Sequence, residues 1–163
     1  MTDVPRALIE GRAALIVIDI EASTFTDDSA ERAIANMSGQ RDRMALARVA
    51  IDKARDRGIA VNFGQEVRRP DMVDSGRDLD GDEETHCLEG APGTAIAVAE
   101  MGLRLTLIRK RRYSAFFGTD FEIMLRGLRV DTLLPCGGSG TSACLHVRGP
   151  VPYTHLRAHA TKA

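Results

Sequence analysis

Apolar and polar positions along the chain fall into blocks that read alternately as strands and helices. Ala13–Ile18 is an unbroken apolar run rich in Ile and Val, the pattern of a strand buried on both faces. Arg41–Arg57 sets Met44, Ala47, Val49, Ile51 and Ala54 among charges, a helical spacing closed by Gly58 as C-terminal cap. Ile59–Phe63 predicts the second strand. The Asp-, Gly- and Pro-rich stretch Gly64–Gly93 predicts a long loop, and loops of that length are usually functional. Thr94–Met101 predicts a helix ending at Gly102, and Leu103–Ile108 the third strand. Thr119-Asp-Phe-Glu122 has the form of a capping box, opening a helix that ends at Gly127. Val130–Leu134 is the fourth strand. Repeated strand–helix units predict an α/β fold with a parallel sheet covered on both faces.

The rhythm breaks after Cys144, where Gly149-Pro-Val-Pro152 stops a helix, and Tyr153–Ala163 has neither helical nor strand periodicity. The segment from Val151 to Thr161 resembles the conceptual translation of a sequencing-library adapter. The expectation is therefore one domain over residues 1–150 and a non-native or disordered tail over 151–163. His155 and His159 carry no functional weight.

Composition narrows the options. A chain of 163 residues with 44% hydrophobic content can build one core. A net charge of -1 supplies no global field for nucleic acid or an anionic membrane. No apolar run approaches the ~18 residues of a membrane span. Met1–Arg12 is short, mixed in charge and unlike a signal peptide. The three cysteines are odd in number and lack a C-x-x-C pair, which points to a reducing, cytoplasmic setting without a thiolate zinc site. Local charge is uneven: Asp71–Glu84 is strongly acidic, and Arg109–Arg112 is a run of cations directly after a buried-type strand.

Asp19, Lys110 and Cys144 each follow the carboxyl end of an apolar run. Neighbouring strand ends in an open parallel sheet share one crevice, where such folds bind ligands. Taken singly, each residue has a plainer reading: a turn cap, a solvated cation, a small buried thiol. Together they compose a nucleophilic catalyst. Cys144 follows the tight turn Gly138-Ser-Gly-Thr141 and would sit in the first turn of a helix, where the dipole favours thiolate. Lys110 would add positive charge, Asp19 would act as base, and backbone N–H groups of the turn would form an oxyanion hole.

Leu15-Ile-Val-Ile-Asp19, Lys110-Arg-Arg-Tyr-Ser-Ala-Phe-Phe-Gly-Thr119 and Gly138-Ser-Gly-Thr-Ser-Ala-Cys144 resemble the signature blocks of the isochorismatase-like cysteine hydrolases. His86-Cys-Leu-Glu-Gly-Ala-Pro-Gly93 resembles that family's loop before the third strand. The resemblance covers about residues 12–147. It implies a three-layer αβα sandwich with a parallel, Rossmann-like sheet and, for a chain of this extent, missing last strands. It places the catalytic triad on Asp19, Lys110 and Cys144, and the oxyanion-hole amides on Gly140 and Cys144. It also implies a cis peptide between Ser139 and Gly140. The implied reaction is hydrolysis of a C–N bond in a small amide or ureido compound, without a cofactor, as in nicotinamidases, N-carbamoylsarcosine amidases and biuret hydrolases. Homo-oligomers are usual in the family.

The sequence departs from the family pattern in places. Glu21 stands where a Gln two residues after the Asp is common. Nicotinamidases often carry an Asp/His metal site, yet Asn62–Pro70 has no histidine, and Arg68 and Arg69 stand where related loops often show one. This argues against a metal. Cys87, Cys136, His86 and His146 are expected to be structural. Tyr113, Phe116 and Phe117 line the pocket or pack the Lys110 loop. The rival reading is a non-catalytic α/β interaction module, or a fragment inactive for want of the elements that follow the nucleophile helix. A flavodoxin-like nucleotide binder lacks its phosphate-loop signature.

Overall fold

A computed structural model describes residues 9–21, 40–74, 85–96, 106–137 and 157–158. Strand β1 spans Ala13–Ile18, helix α1 Gln40–Asp56, β2 Ala60–Glu66, β3 Thr106–Lys110, helix α2 Phe121–Gly127, β4 Thr132–Gly137 and β5 Arg157–Ala158. The strands form one sheet in the order β3-β2-β1-β4-β5, and every neighbouring pair is parallel. The order reverses between β1 and β4, the switch point at which open α/β sheets form a crevice beyond the strand ends.

The period-2 alternation of β1 builds the layers. Ala14, Ile16 and Ile18 join Ile108, Leu133 and the α2 residues Phe121 and Leu125 on one face. Leu15 and Val17 join Phe63 and the α1 residues Ala47, Ile51 and Ala54 on the other. All six β1 residues are buried, because helices cover both faces of the central strand. Each large aliphatic side chain buried this way contributes roughly 1.5–3 kcal/mol. The result is the α/β, Rossmann-like architecture in three layers.

Helix α1 ends as its glycine predicts. Gly58 has φ +66°, its N–H donates to the Arg55 carbonyl at 2.9 Å, and the Ile59 N–H reaches back to Ala54 at 2.8 Å. That paired bonding is a Schellman stop, which turns the chain directly into β2.

Several expected boundaries move. Strand β2 runs past Phe63 to Glu66, and β3 runs past Ile108 to Lys110, pairing Glu66 with Lys110. Strand β4 begins at Thr132 and continues through Pro135 to Gly137. A proline fits there because β5 pairs only with Thr132 and Leu133, leaving Pro135 at an edge position among the described residues. The short strand β5 itself lies where the sequence has no strand periodicity.

The capping box does not form. Asp120 is the N-cap of α2 and makes no side-chain cap bond, while the Thr119 hydroxyl accepts from the Phe121 N–H and donates to the Ala115 carbonyl. Glu122 binds Arg126 one turn on instead. The helix expected from Thr94 opens differently too. Pro92–Thr94 is a single 3₁₀ turn, Ala95 is extended, and Ile96 forms an antiparallel bridge to Glu21. The remainder of that expected helix lies outside the described residues.

Candidate active site

Strand ends carry the polar residues of the site. Asp19 follows β1, Glu66 ends β2 and Lys110 ends β3, so the parallel register brings three ionisable side chains to one rim of the sheet. Asp19 has φ +53°, a conformation Asp tolerates better than most residues, and its N–H donates to the Gly64 carbonyl at 3.0 Å. This turn aims its carboxylate across β2 toward Lys110.

The Lys110 ammonium lies 3.0 Å from Asp19 Oδ2 and 3.0 Å from Glu66 Oε2, and its side chain has no solvent exposure. Arg68 donates from Nε at 3.0 Å, and again from Nη2, to Glu66 Oε1. His86 Nε2 stands 3.4 Å from the same oxygen. The Arg68 guanidinium also lies over the Tyr113 ring, 5.8 Å from its centre. On the other side, Glu21 Oε1 accepts the Glu66 N–H at 2.8 Å, and Glu21 Oε2 accepts from Cys87 Sγ at 3.1 Å. His86 and Cys87 arrive from the long loop because Arg68 and Leu88 form a parallel bridge. The Arg68 N–H donates to the Cys87 carbonyl and the Glu89 N–H to the Arg68 carbonyl, each at 2.8 Å.

Burial and neighbouring charge divide these groups by protonation. Burial raises the Asp19 carboxyl from about 3.8 to about 6, against the pull of Lys110 and with the push of Glu66. Burial works against the Glu66 carboxylate too, but the contacts from His86, Lys110 and Arg68 outweigh it and hold its pKa well below the usual range. Burial likewise opposes the Lys110 ammonium, yet the Asp19 and Glu66 charges win and raise its pKa above the ordinary value. Glu21 is pushed up to about 8, first by burial and then by the Asp19 charge. Cys87 is driven far above an ordinary thiol by burial and by Glu21. Near neutral pH Asp19 and Glu66 are therefore negative and Lys110 positive, with the Arg68 guanidinium gripping Glu66.

A neutral Glu21 offers one donor and one acceptor, as a glutamine amide does. Because its folded pKa lies above the ordinary 4.5, stability is lost as pH rises from there through about 8. Glu21→Gln removes that titration. Its stability advantage over the native chain should widen between pH 5 and pH 8, reaching on the order of 3 kcal/mol. Urea unfolding at the two pH values measures this, and an equal difference at both would contradict it.

One oxygen of Asp19 is uncommitted: Oδ1 is buried and has no hydrogen-bond partner among the described residues. A buried carboxylate with one oxygen on an ammonium and the other free can take a proton from a neighbouring donor.

Asp19 and Lys110 are thus brought together. Cys144, Gly140 and the Ser139–Gly140 peptide lie outside the described residues, as does His146. Tyr113 touches the network through Arg68. Phe116 packs on Phe121 with ring centres 5.0 Å apart, joining the core beneath α2, and Phe117 is exposed. Cys136 is half-buried against the α1 side of the sheet. The sequence reading did not single out Glu66 as a site residue. Its signal was present: like Asp19, it is an acid closing a strand, concealed because Gly64 and Gln65 interrupt the apolar run.

Glu66, His86 and Cys87 bring ligand-type atoms within 4.8 Å of one another, the kind of group that can hold a metal ion. The donor set does not fit one. Glu66 Oε1 is already taken twice by a fully buried guanidinium, and Cys87 is a thiol donating to Glu21, whereas a metal needs thiolate.

Comparison with known proteins identifies the chain's relatives. An isochorismatase-domain family model matches residues 13–147. An uncharacterised isochorismatase family protein of Bacillus subtilis, YwoC, is 22% identical over 77% of this chain, which spans 62% of that protein's length. The pyrazinamidase/nicotinamidase of Streptococcus mutans superposes with a TM-score of 0.72 at 26% identity, covering 91% of this chain and 83% of that one. N-carbamoylsarcosine amidase of Thermoplasma acidophilum superposes with a TM-score of 0.75 at 20% identity, over 93% and 82% of the two chains. Spanning residues from β1 to beyond β4, the family match covers the strands that carry Asp19 and Lys110, and the chain belongs to the isochorismatase family.

Proposed function

We propose that this chain carries the catalytic residues of a cysteine hydrolase that cleaves a C–N bond in a small amide or ureido compound. The observation that carries the reading is the buried Asp19–Lys110 pair at the strand ends, with Asp19 Oδ1 left uncommitted. The amidase activities named for two structural relatives support the substrate class.

In this mechanism Asp19 Oδ1 takes the Cys144 thiol proton, and the thiolate attacks the substrate carbonyl. The tetrahedral oxyanion is held by the backbone amides of Gly140 and Cys144. Its collapse breaks the C–N bond as Asp19 returns the proton to the leaving nitrogen, giving an acyl-enzyme on Cys144. Asp19 then deprotonates water, which attacks the thioester and releases the acid and free thiol. Lys110 stays protonated throughout, holding Asp19 Oδ2 and favouring the thiolate. No cofactor is required. Tyr113 is the aromatic residue best placed to bear on substrate through its contact with the network.

Iodoacetamide labelling near neutral pH tests the reactive centre. Cys144 should alkylate faster than Cys136 and much faster than Cys87, which is buried and held as thiol. Labelling of Cys144 no faster than the others would favour a non-catalytic α/β module.

A further inference from the structure

Arg68, two residues beyond the end of β2, is an unusual residue to find in the molecule's interior. It has no solvent exposure, and its backbone is fixed on both sides by bonds to Cys87 and Glu89. Its guanidinium lies over Tyr113 and sends two N–H groups to one oxygen of Glu66, the oxygen that also faces His86. The other Glu66 oxygen receives Lys110. Glu66, His86 and Cys87 thus present a metal-type set of donors whose central carboxylate is occupied by a cation belonging to the protein.

We propose that Arg68 is a resident cation in the place of a divalent metal: it holds Glu66 ionised and aimed at Lys110, and it makes the site independent of metal. A guanidinium cannot be deprotonated under ordinary conditions, and its fork fixes the carboxylate it grips. Among the described residues, Lys110 and Arg68 are the permanent cations that touch this pair of carboxylates, so loss of the guanidinium leaves two carboxylates to one ammonium. An incoming dication would meet that guanidinium at the same oxygen and would have to displace it from a fully buried position. Removal of the guanidinium leaves a carboxylate and an imidazole 3.4 Å apart with an uncompensated negative charge, the conditions that attract a transition metal. The positioning of Lys110 bears on catalysis only if the proposed hydrolase reading holds, whereas the exclusion of metal stands apart from it.

Equilibrium dialysis against zinc and against manganese, on the native chain, Arg68→His, Arg68→Lys and Arg68→His/His86→Ala, tests the proposal without reference to turnover. The native chain and Arg68→Lys should retain no stoichiometric ion. Arg68→His should retain one equivalent of zinc, and the added His86→Ala change should abolish that retention. An Arg68→His chain that melts cooperatively only when zinc is supplied gives the same answer. The proposal is overturned if the native chain retains a stoichiometric ion. It is equally overturned if Arg68→His takes up no ion, or fails to fold even with zinc present. Where hydrolysis is measurable, a chelator should leave native turnover unchanged.

Discussion

Lys110→Met should abolish turnover and lower the free energy of unfolding by about 3–5 kcal/mol near neutral pH, the usual result of removing one partner from a buried ionic group. Methionine fills much the same volume, so the loss is electrostatic. Without the ammonium, Asp19 and Glu66 are left facing each other across the strand ends with no group between them. Repulsion then raises the Asp19 pKa further, and the carboxylate that should act as base becomes protonated. The destabilisation should shrink as pH falls toward 4, because protonation removes the repulsion. For the native protein the dependence runs the other way. The folded-state pKa of Lys110 is raised above 10.5, so its contribution is fully present below 10.5 and lost only as pH rises through the folded value. Chemical denaturation of both proteins at pH 7 and pH 4.5 measures the difference, and a variant as stable as the native chain at pH 7 would contradict this electrostatic account.

Asp19→Asn should also remove turnover, by about 10²–10⁴-fold as for loss of a general base, but with the opposite consequence for stability. Lys110 still has Glu66 as a counter-ion, which it then shares with Arg68. The folded-state pKa of Asp19, about 6, lies above its ordinary 3.8. The native fold therefore loses stability as pH climbs from 3.8 through about 6, and the asparagine variant escapes that loss. In the native enzyme the same titration should appear as an acid limb, with kcat/KM rising through about pH 6 to a plateau. Rate–pH profiles together with thermal melts separate the cases. A variant that retained the acid limb would assign it to another group.

How much of this was legible in the sequence varied with burial. Strand β1 matched residue for residue, because a central strand covered on both faces must be apolar throughout, and its bounds are those of the apolar run. Strands β2, β3 and β4 were placed correctly but ended too early. Their last residues, Gln65-Glu66, Arg109-Lys110 and Cys136-Gly137, are polar or small, so the apolar pattern stops before the strand does. Asp19 directly follows an apolar run and Lys110 follows one after a single arginine, whereas Glu66 lies behind the interruption at Gly64 and Gln65. His86 and Cys87 had no local signal of their place beside Glu66 and Glu21. Their approach depends on the Arg68–Leu88 bridge, a contact between the two ends of a long polar loop. The Thr119 capping box failed for a local reason: the hydroxyl is engaged with Ala115 and Phe121, so the helix starts one residue later.

Glu21 shows how a departure from a family pattern can be smaller than it looks. A carboxylate in place of glutamine would add a buried charge beside Asp19. Burial and that neighbour raise its pKa to about 8, so near neutral pH the group is chiefly an uncharged acid in the same hydrogen bonds. Arg68 is the larger departure, because it changes the kind of charge available at Glu66.

The central claim is that the paired Asp19 and Lys110 serve a thiolate at Cys144. Its most direct measurement is intact-mass analysis after rapid acid quench of the protein with a turned-over amide or ureide, followed by peptide mapping. The account predicts an acyl adduct confined to the peptide containing Cys144, absent in Cys144→Ala together with all ammonia release. Ammonia release undiminished in Cys144→Ala, or an adduct on Cys87 or Cys136, would contradict it.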